Sequence, residues 1–175
     1  MHIFTDRKHI IIDTRSEKEF IDHHVENSVF VGFHGVGFKY WLELLLPDKN
    51  IDIEVITDSS CQQVIDTIKS LGYENVSVLT DITESTSLAT IIQSLPNSDT
   101  KVLDVRQSDL SQTDAEYLPV SEIIQGKLQH SESPYIVHCD KSYRSLIAVS
   151  LLKLLGLCKL IYVDKDELEK QQKLK

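Results

Sequence analysis

The 175-residue sequence predicts an α/β fold built twice, as two small parallel sheets each flanked by helices. Three observations predict it. Short, nearly unbroken apolar runs alternate with helix-like segments, the pattern of parallel strands covered on both faces. The run IIDTR (Ile11 to Arg15) returns as VLDVR (Val102 to Arg106), and LGYENVSVL (Leu71 to Leu79) has a counterpart in LGLCKLIYV (Leu155 to Val163). The offsets, 91 residues for the first pair and 84 for the second, suit a small duplicated domain rather than a solenoid repeat.

In chain order, HIIID and IDIEVIT read as strands of the first unit. Ser60 to Leu71 reads as a helix that turns Val64, Ile65, Ile68 and Leu71 inward. Gly72 and Gly156 follow helix-like runs, where a left-handed residue ends the helix. Thr80 to Ser85 reads as a polar linker. Beyond it Leu88, Ile91, Ile92 and Leu95 are spaced as on one helix face, which predicts a helix to Ser94, stopped by Pro96. KVLDV and PYIVH are the strands of the second unit, and Tyr143 to Leu155 its main helix. The expected domains are 1–82 and 83–175. Only ten residues precede IIDTR, with no helix pattern, so the first unit is expected to begin incomplete.

Composition narrows the function. Hydrophobic residues make up 41% and charged residues 26%, enough apolar content for a packed core. A net charge of −9 argues against a nucleic-acid partner, because phosphate binding wants a basic surface. No apolar run approaches the ~20 residues a membrane span needs. The start, MHIFTDRKHIIIDTR, lacks the features of a signal peptide. Cys61, Cys139 and Cys158 are odd in number and far apart, which suits a reducing cytoplasm rather than a disulfide framework. Adjacent histidines such as His23 and His24 point apart on a strand or helix, so no metal site and no cofactor are expected.

The chemistry concentrates in VHCDKSYRSLIAVSLLKLLG, residues 137–156. PYIVH places Cys139 at the carboxyl end of a buried strand, the edge where α/β sheets bind ligands. Asp140, Lys141, Ser142 and Tyr143 follow, and Arg144 and Ser145 open the helix. Unpaired amides of the loop and first helical turn converge in front of the strand and favour an anion there, a thiolate included. Lys141 and Arg144 add positive charge and Asp140 opposes it; Ser142 and Tyr143 are expected to shape the rim. An inert, buried thiol is the competing reading, and it fits Cys158 among its leucines better than it fits Cys139.

A cysteine-phosphatase loop needs one more residue than the four between Cys139 and Arg144. The shorter loop resembles that of the rhodanese superfamily, and the order of Asp-x-Arg, cysteine loop, helix, glycine and further strand extends the resemblance over both units. HHVENSVFV is similar to that family's Gly-His-Ile segment, with His23 or His24 at the histidine. Phe33 to Thr57 resembles the rhodanese-like region attached to metallo-β-lactamase-fold persulfide dioxygenases.

The resemblance implies two rhodanese-like domains and a sulfurtransferase. Sulfane sulfur passes from thiosulfate or a low-molecular-weight persulfide to a thiol or sulfite through a Cys139 persulfide. Asp140, Lys141, Ser142, Tyr143, Arg144 and Ser145 line the substrate site, and an upstream or separate persulfide dioxygenase domain is the implied partner. Family loops often carry glycine where Ser142 stands, and AEYLPVSEI replaces the Gly-His-Ile segment in the second unit. The alternatives are a non-catalytic persulfide carrier or docking module, and a cysteine phosphatase or arsenate-reductase-like enzyme. Counting back from Gly72 and Gly156 aligns Cys61 with Ser145 and the thiol position with the neighbourhood of Asp58, with about three residues deleted from the loop and no arginine. The first unit is therefore expected to be catalytically inactive.

Overall fold

The structure, a computed structural model, describes residues 2–58, 61–80, 82, 85–87, 100–107, 115–127, 133–139, 141–157 and 159–162. The chain divides into two compact units, Met1–Ser87 and Leu88–Lys175. The helix expected to reach Ser94 lies outside the described residues, as do Cys158 and the charged C-terminal segment.

The first unit runs β1 (His9–Asp13), α1 (Glu17–Asp22), β2 (His24–Val25), β3 (Val29–Phe30), α2 (Phe38–Leu45), β4 (Asp52–Ile56), α3 (Cys61–Ser70), β5 (Val76–Val78) and β6 (Ser85–Thr86). Its sheet is parallel throughout, in the order β3-β1-β4-β5. Ile10, Ile12, Ile53, Val55 and Ile56 are buried along the two central strands. A central strand with apolar neighbours on both faces has no polar side to show, which is why β1 and β4 read as nearly continuous apolar runs. Val64 and Ile68 are the buried residues of α3. Strand β6, which begins at the last residue of the stretch read as linker, pairs antiparallel with β2.

Ser16 starts α1 with a reciprocal cap: its hydroxyl accepts from the Glu19 amide, and the Glu19 carboxylate accepts from the Ser16 amide. Helix α2 was not expected, although Phe38, Trp41, Leu42 and Leu45 are its buried residues at helical spacing. Gly37 precedes it at φ 89°, a conformation glycine adopts without penalty.

The second unit runs β7 (Lys101–Asp104), β8 (Glu116–Tyr117), α4 (Val120–Ile124), β9 (Tyr135–His138), α5 (Tyr143–Leu154) and β10 (Leu160–Tyr162). Its sheet is also parallel, in the order β8-β7-β9-β10. Taken strand by strand from the Asp-x-Arg strand, this is the order of the first sheet, with β7, β8, β9 and β10 standing where β1, β3, β4 and β5 stand. Helix α5 is buried from Leu146 through Leu152, apolar on nearly every side, and packs on α4, β9 and β10. Within that buried run Ser150 donates its hydroxyl to the Ile147 carbonyl at 2.8 Å.

Both helix-ending glycines are left-handed, Gly72 at φ 90° and Gly156 at φ 91°. After α5 the Gly156 amide donates to Lys153 O and the Leu157 amide to Leu152 O, closing the helix end on itself. An added Cβ at either glycine meets nothing within 4 Å. Gly72→Ala and Gly156→Ala should therefore each destabilise their unit by about 1 kcal/mol, wholly through backbone conformation. Urea midpoints and segment-resolved hydrogen exchange check this.

Candidate active site

The carboxyl ends of the central strands carry the same main-chain arrangement in both units. β1 pairs with β4 through Asp13 and Ile56, and β7 pairs with β9 through Asp104 and His138. One residue on, the Thr14 amide donates to Ile56 O at 2.8 Å and the Val105 amide to His138 O at 3.1 Å. His138 thus corresponds to Ile56, and Cys139 to Thr57.

This corrects the count made back from the glycines. Four residues separate Ile56 from Cys61, and four separate His138 from Tyr143, so no loop residue is missing. The difference lies in the helices, 10 residues in α3 and 12 in α5. Cys61, the first residue of α3, corresponds to Tyr143, and Gln62 corresponds to Arg144. A threonine stands at the position of the thiol.

At that position in the second unit, Cys139 follows the last residue of β9 and is a free thiol, 3% exposed. The Ser145 amide donates to its sulfur at 3.3 Å. Ser145 lies in the first turn of α5, so its amide is one of those the helix leaves without an internal partner. The strand end and the helix start together aim this donor at the sulfur. Asp140 lies outside the described residues. Lys141 is exposed, Arg144 is half-buried and Ser145 is buried.

Tyr143, expected on the rim, is 8% exposed: as the first residue of α5 it is drawn into the packing of an almost wholly buried helix. Ser142 has φ 41° and ψ −44°, and the Tyr143 amide donates to the Lys141 carbonyl across it. That is a γ-turn of the rare, strained hand. The strain expected of a non-glycine residue at this point is present, and it sits between the thiol and the helix that supplies its donor.

The Asp-x-Arg pairs hold the preceding strands. Arg15 forks onto Asp13, with Nε to Oδ1 at 3.0 Å and Nη2 to Oδ2 at 2.7 Å. Arg106 forks onto Asp104, with Nε to Oδ1 at 2.9 Å and Nη2 to Oδ2 at 2.5 Å. Both carboxylates are buried, and each also accepts from the backbone amide of its arginine. Burial is the largest influence on Asp13 and pushes its carboxyl up against the pull of Arg15. At Asp104 burial is again the largest single influence, but hydrogen bonds and charge from Arg106, with the charge of His138, outweigh it and bring the carboxyl below its ordinary value.

Histidine in the HHVENSVFV segment plays a structural part. His24 is buried, stacked on Phe20 with ring centroids 4.7 Å apart. Its Nδ1 lies 3.0 Å from Phe20 O and its Nε2 lies 3.1 Å from Thr86 Oγ1. A carbonyl can only accept, so Nδ1 carries the proton and Nε2 is left to accept from the threonine. The imidazole thereby fastens β6 to α1. His23 contributes its carbonyl, which accepts from Arg15 Nη2 at 2.6 Å.

Residues 2–81 match the rhodanese-like domain family, a span that falls on the first unit. No curated protein matches the sequence. Among solved structures, the chain is similar to a thiosulfate sulfurtransferase from Pseudomonas aeruginosa, at 16% identity and a TM-score of 0.41. That match covers 90% of this chain and 37% of the other, so the chain spans little more than a third of that enzyme's length. It is also similar to SseA from Escherichia coli, a 3-mercaptopyruvate sulfotransferase, at 13% identity and a TM-score of 0.36, covering 91% of this chain and 92% of that one.

Two outcomes follow from the geometry. Ser142→Gly relieves a positive φ, so it should leave stability unchanged or raise it by up to ~1 kcal/mol, where glycine at an ordinary loop position lowers it. A larger loss on chemical denaturation contradicts the strained turn. The folded Asp104 carboxyl titrates below its unfolded value, about 3.9, so its contribution is whole above that pH and fades as pH falls through the folded value. The stability gap between wild type and Asp104→Asn should be widest above about pH 5 and close under acid, measured by hydrogen exchange in residues 101–106.

Proposed function

We propose that the second unit is a sulfurtransferase domain of the rhodanese type, with Cys139 as its sulfur-carrying nucleophile. The observation that carries this reading is the Ser145 amide donating to the Cys139 sulfur at 3.3 Å, at the carboxyl end of a parallel strand. A donor there stabilises negative sulfur in both the thiolate and the persulfide. The rhodanese-like match over residues 2–81, together with the shared strand order of the two sheets, supports two domains of one kind, 1–82 and 83–175. Thr57 at the thiol position, and Gln62 where the second unit has Arg144, support a catalytically inactive first domain.

The chemistry runs in two displacements. The Cys139 thiolate attacks the outer sulfur of thiosulfate, whose sulfur–sulfur bond breaks with its electron pair leaving on sulfite. Cys139 is left as a persulfide. An acceptor thiolate then attacks the outer sulfur, the new sulfur–sulfur bond breaks, and the Cys139 thiolate returns. A low-molecular-weight persulfide serves as donor in the same way, releasing a thiol, and sulfite serves as acceptor. Lys141 and Arg144 draw these anions to the loop. No outside oxidant or reductant is consumed.

A second reading, a persulfide carrier that docks on a partner, is favoured by the 3% exposure of Cys139, since a sealed sulfur must be opened before it reacts. A persulfide dioxygenase domain, upstream or separate, is the partner this reading assigns, on the resemblance of Phe33 to Thr57 to the region attached to such enzymes. The odd, separated cysteines favour a reducing compartment, the cytoplasm.

Mass spectrometry after exposure to thiosulfate, and separately to a glutathione-type persulfide, should give a species heavier by about 32 Da, one sulfur atom, mapped to Cys139. Cys139→Ser should lose that species and all sulfur transfer; retained transfer overturns the assignment. Repeated turnover with free donor and acceptor favours the enzyme, and loading once without cycling favours the carrier.

A further inference from the structure

One residue before Cys139, the ends of β7 and β9 bring ionisable groups together that the sulfur-transfer steps do not use. His138 is the register partner of Asp104, so the two side chains leave the sheet on the same face. Asp104 is 1% exposed and already forked by Arg106. The His138 carbonyl is held by the Val105 amide, and the next residue along the chain is Cys139. The register pairing places the imidazole within electrostatic reach of that carboxylate, and the charge of His138 is the smallest of the influences that draw the carboxyl down.

Asp104 and Arg106 form an ion pair at the strand ends, and protonation of the imidazole adds one positive charge beside it. The other ionisable groups on the surrounding described elements are Tyr117 on β8, paired with Asp104, Tyr162 on β10, paired with Val137, the Lys101–Glu116 ion pair on β7 and β8, Glu122 on α4 and Lys153 on α5. Tyr135 lies on β9 itself, and Lys141, Tyr143 and Arg144 lie on the loop and α5. Among these residue types only histidine ordinarily changes charge between about pH 5 and 8. A neighbouring carboxylate favours the imidazolium, and an imidazolium favours an anion nearby.

We infer that His138 is a positioning residue for the Cys139 sulfur, its imidazolium held beside Asp104 as a switchable positive charge one residue before the thiolate. The effect is to keep the sulfur nucleophilic at mildly acidic pH and to withdraw that help as pH rises. This rests on Cys139 being the reactive sulfur proposed above, but its test needs no sulfur donor.

The rate of Cys139 alkylation by iodoacetamide, followed by peptide mass spectrometry between pH 6 and 9, reads thiolate reactivity directly. At pH 6 the wild-type protein should react about three- to tenfold faster than His138→Gln, the effect of one charge at short range in a partly buried site. At pH 9 the two rates should converge. His138→Lys, charged throughout, should keep the fast rate at pH 6 and exceed wild type at pH 9. A wild-type to His138→Gln ratio that stays constant with pH overturns the inference. Should His138→Gln fail to fold, histidine NMR decides: coupling is reciprocal, so the His138 midpoint should fall in Cys139→Ser, and an unmoved midpoint overturns it. Sulfur transfer absent with the His138-dependent profile intact sinks only the proposed function; transfer present with a flat ratio sinks only this inference.

Discussion

A parallel pairing that stops at Asp104 and His138 is the constraint on which the rest of the second unit depends. Strands β7 and β9 run together in register from Lys101 and Tyr135 to Asp104 and His138. Where they part, the Val105 amide takes the His138 carbonyl and the Leu118 amide takes the Asp104 carbonyl, at 3.1 and 2.9 Å. The chain leaving β9 is then clamped up to residue 138, and Cys139 begins a short passage to α5. The sulfur's place is set by main-chain hydrogen bonds upstream and a buried helix downstream. The loop between them absorbs the mismatch, and the positive φ at Ser142 is where that mismatch shows.

The first unit shows how little of this depends on the nucleophile. Thr14 and Val31 donate to Ile56 and Asp13 as Val105 and Leu118 do to His138 and Asp104. The Asp13–Arg15 fork is the same device as Asp104–Arg106. A buried carboxylate bound to its own i+2 arginine and amide ties off a strand end in either unit, whatever follows it. What differs is the residue after β4, a threonine, and the helix beyond, which buries Val64 and Ile68 where α5 buries a continuous run. His24 adds a clasp of its own, joining α1 to β6 through both ring nitrogens.

Much of the fold was legible because the signals were local. Strand β1 coincides with the HIIID run, α3 with the predicted helix to within a residue at either end, and both helix-ending glycines take the left-handed conformation that helix closure demands. The reading failed where it used a distance along the chain as a substitute for register. Back-counting from Gly72 and Gly156 assumes helices of equal length, and α3 is shorter than α5 by a turn fraction that no local pattern reveals. Helix α2 was passed over although Phe38, Trp41, Leu42 and Leu45 are regularly spaced, because the glycines just before it, Gly35 and Gly37, resemble turn signals.

From sequence alone came the α/β class, the expectation of two like units and the expectation of a reactive Cys139, which rest on periodicity and near neighbours, while the prospect of strain at Ser142 came with the family resemblance. Tertiary structure alone decided that the Ser145 amide reaches the sulfur, that Tyr143 is buried, that Thr57 stands in the thiol's place and that His138 lies beside Asp104. These depend on which strands pair and in what register, and register is a property of two segments distant in the chain.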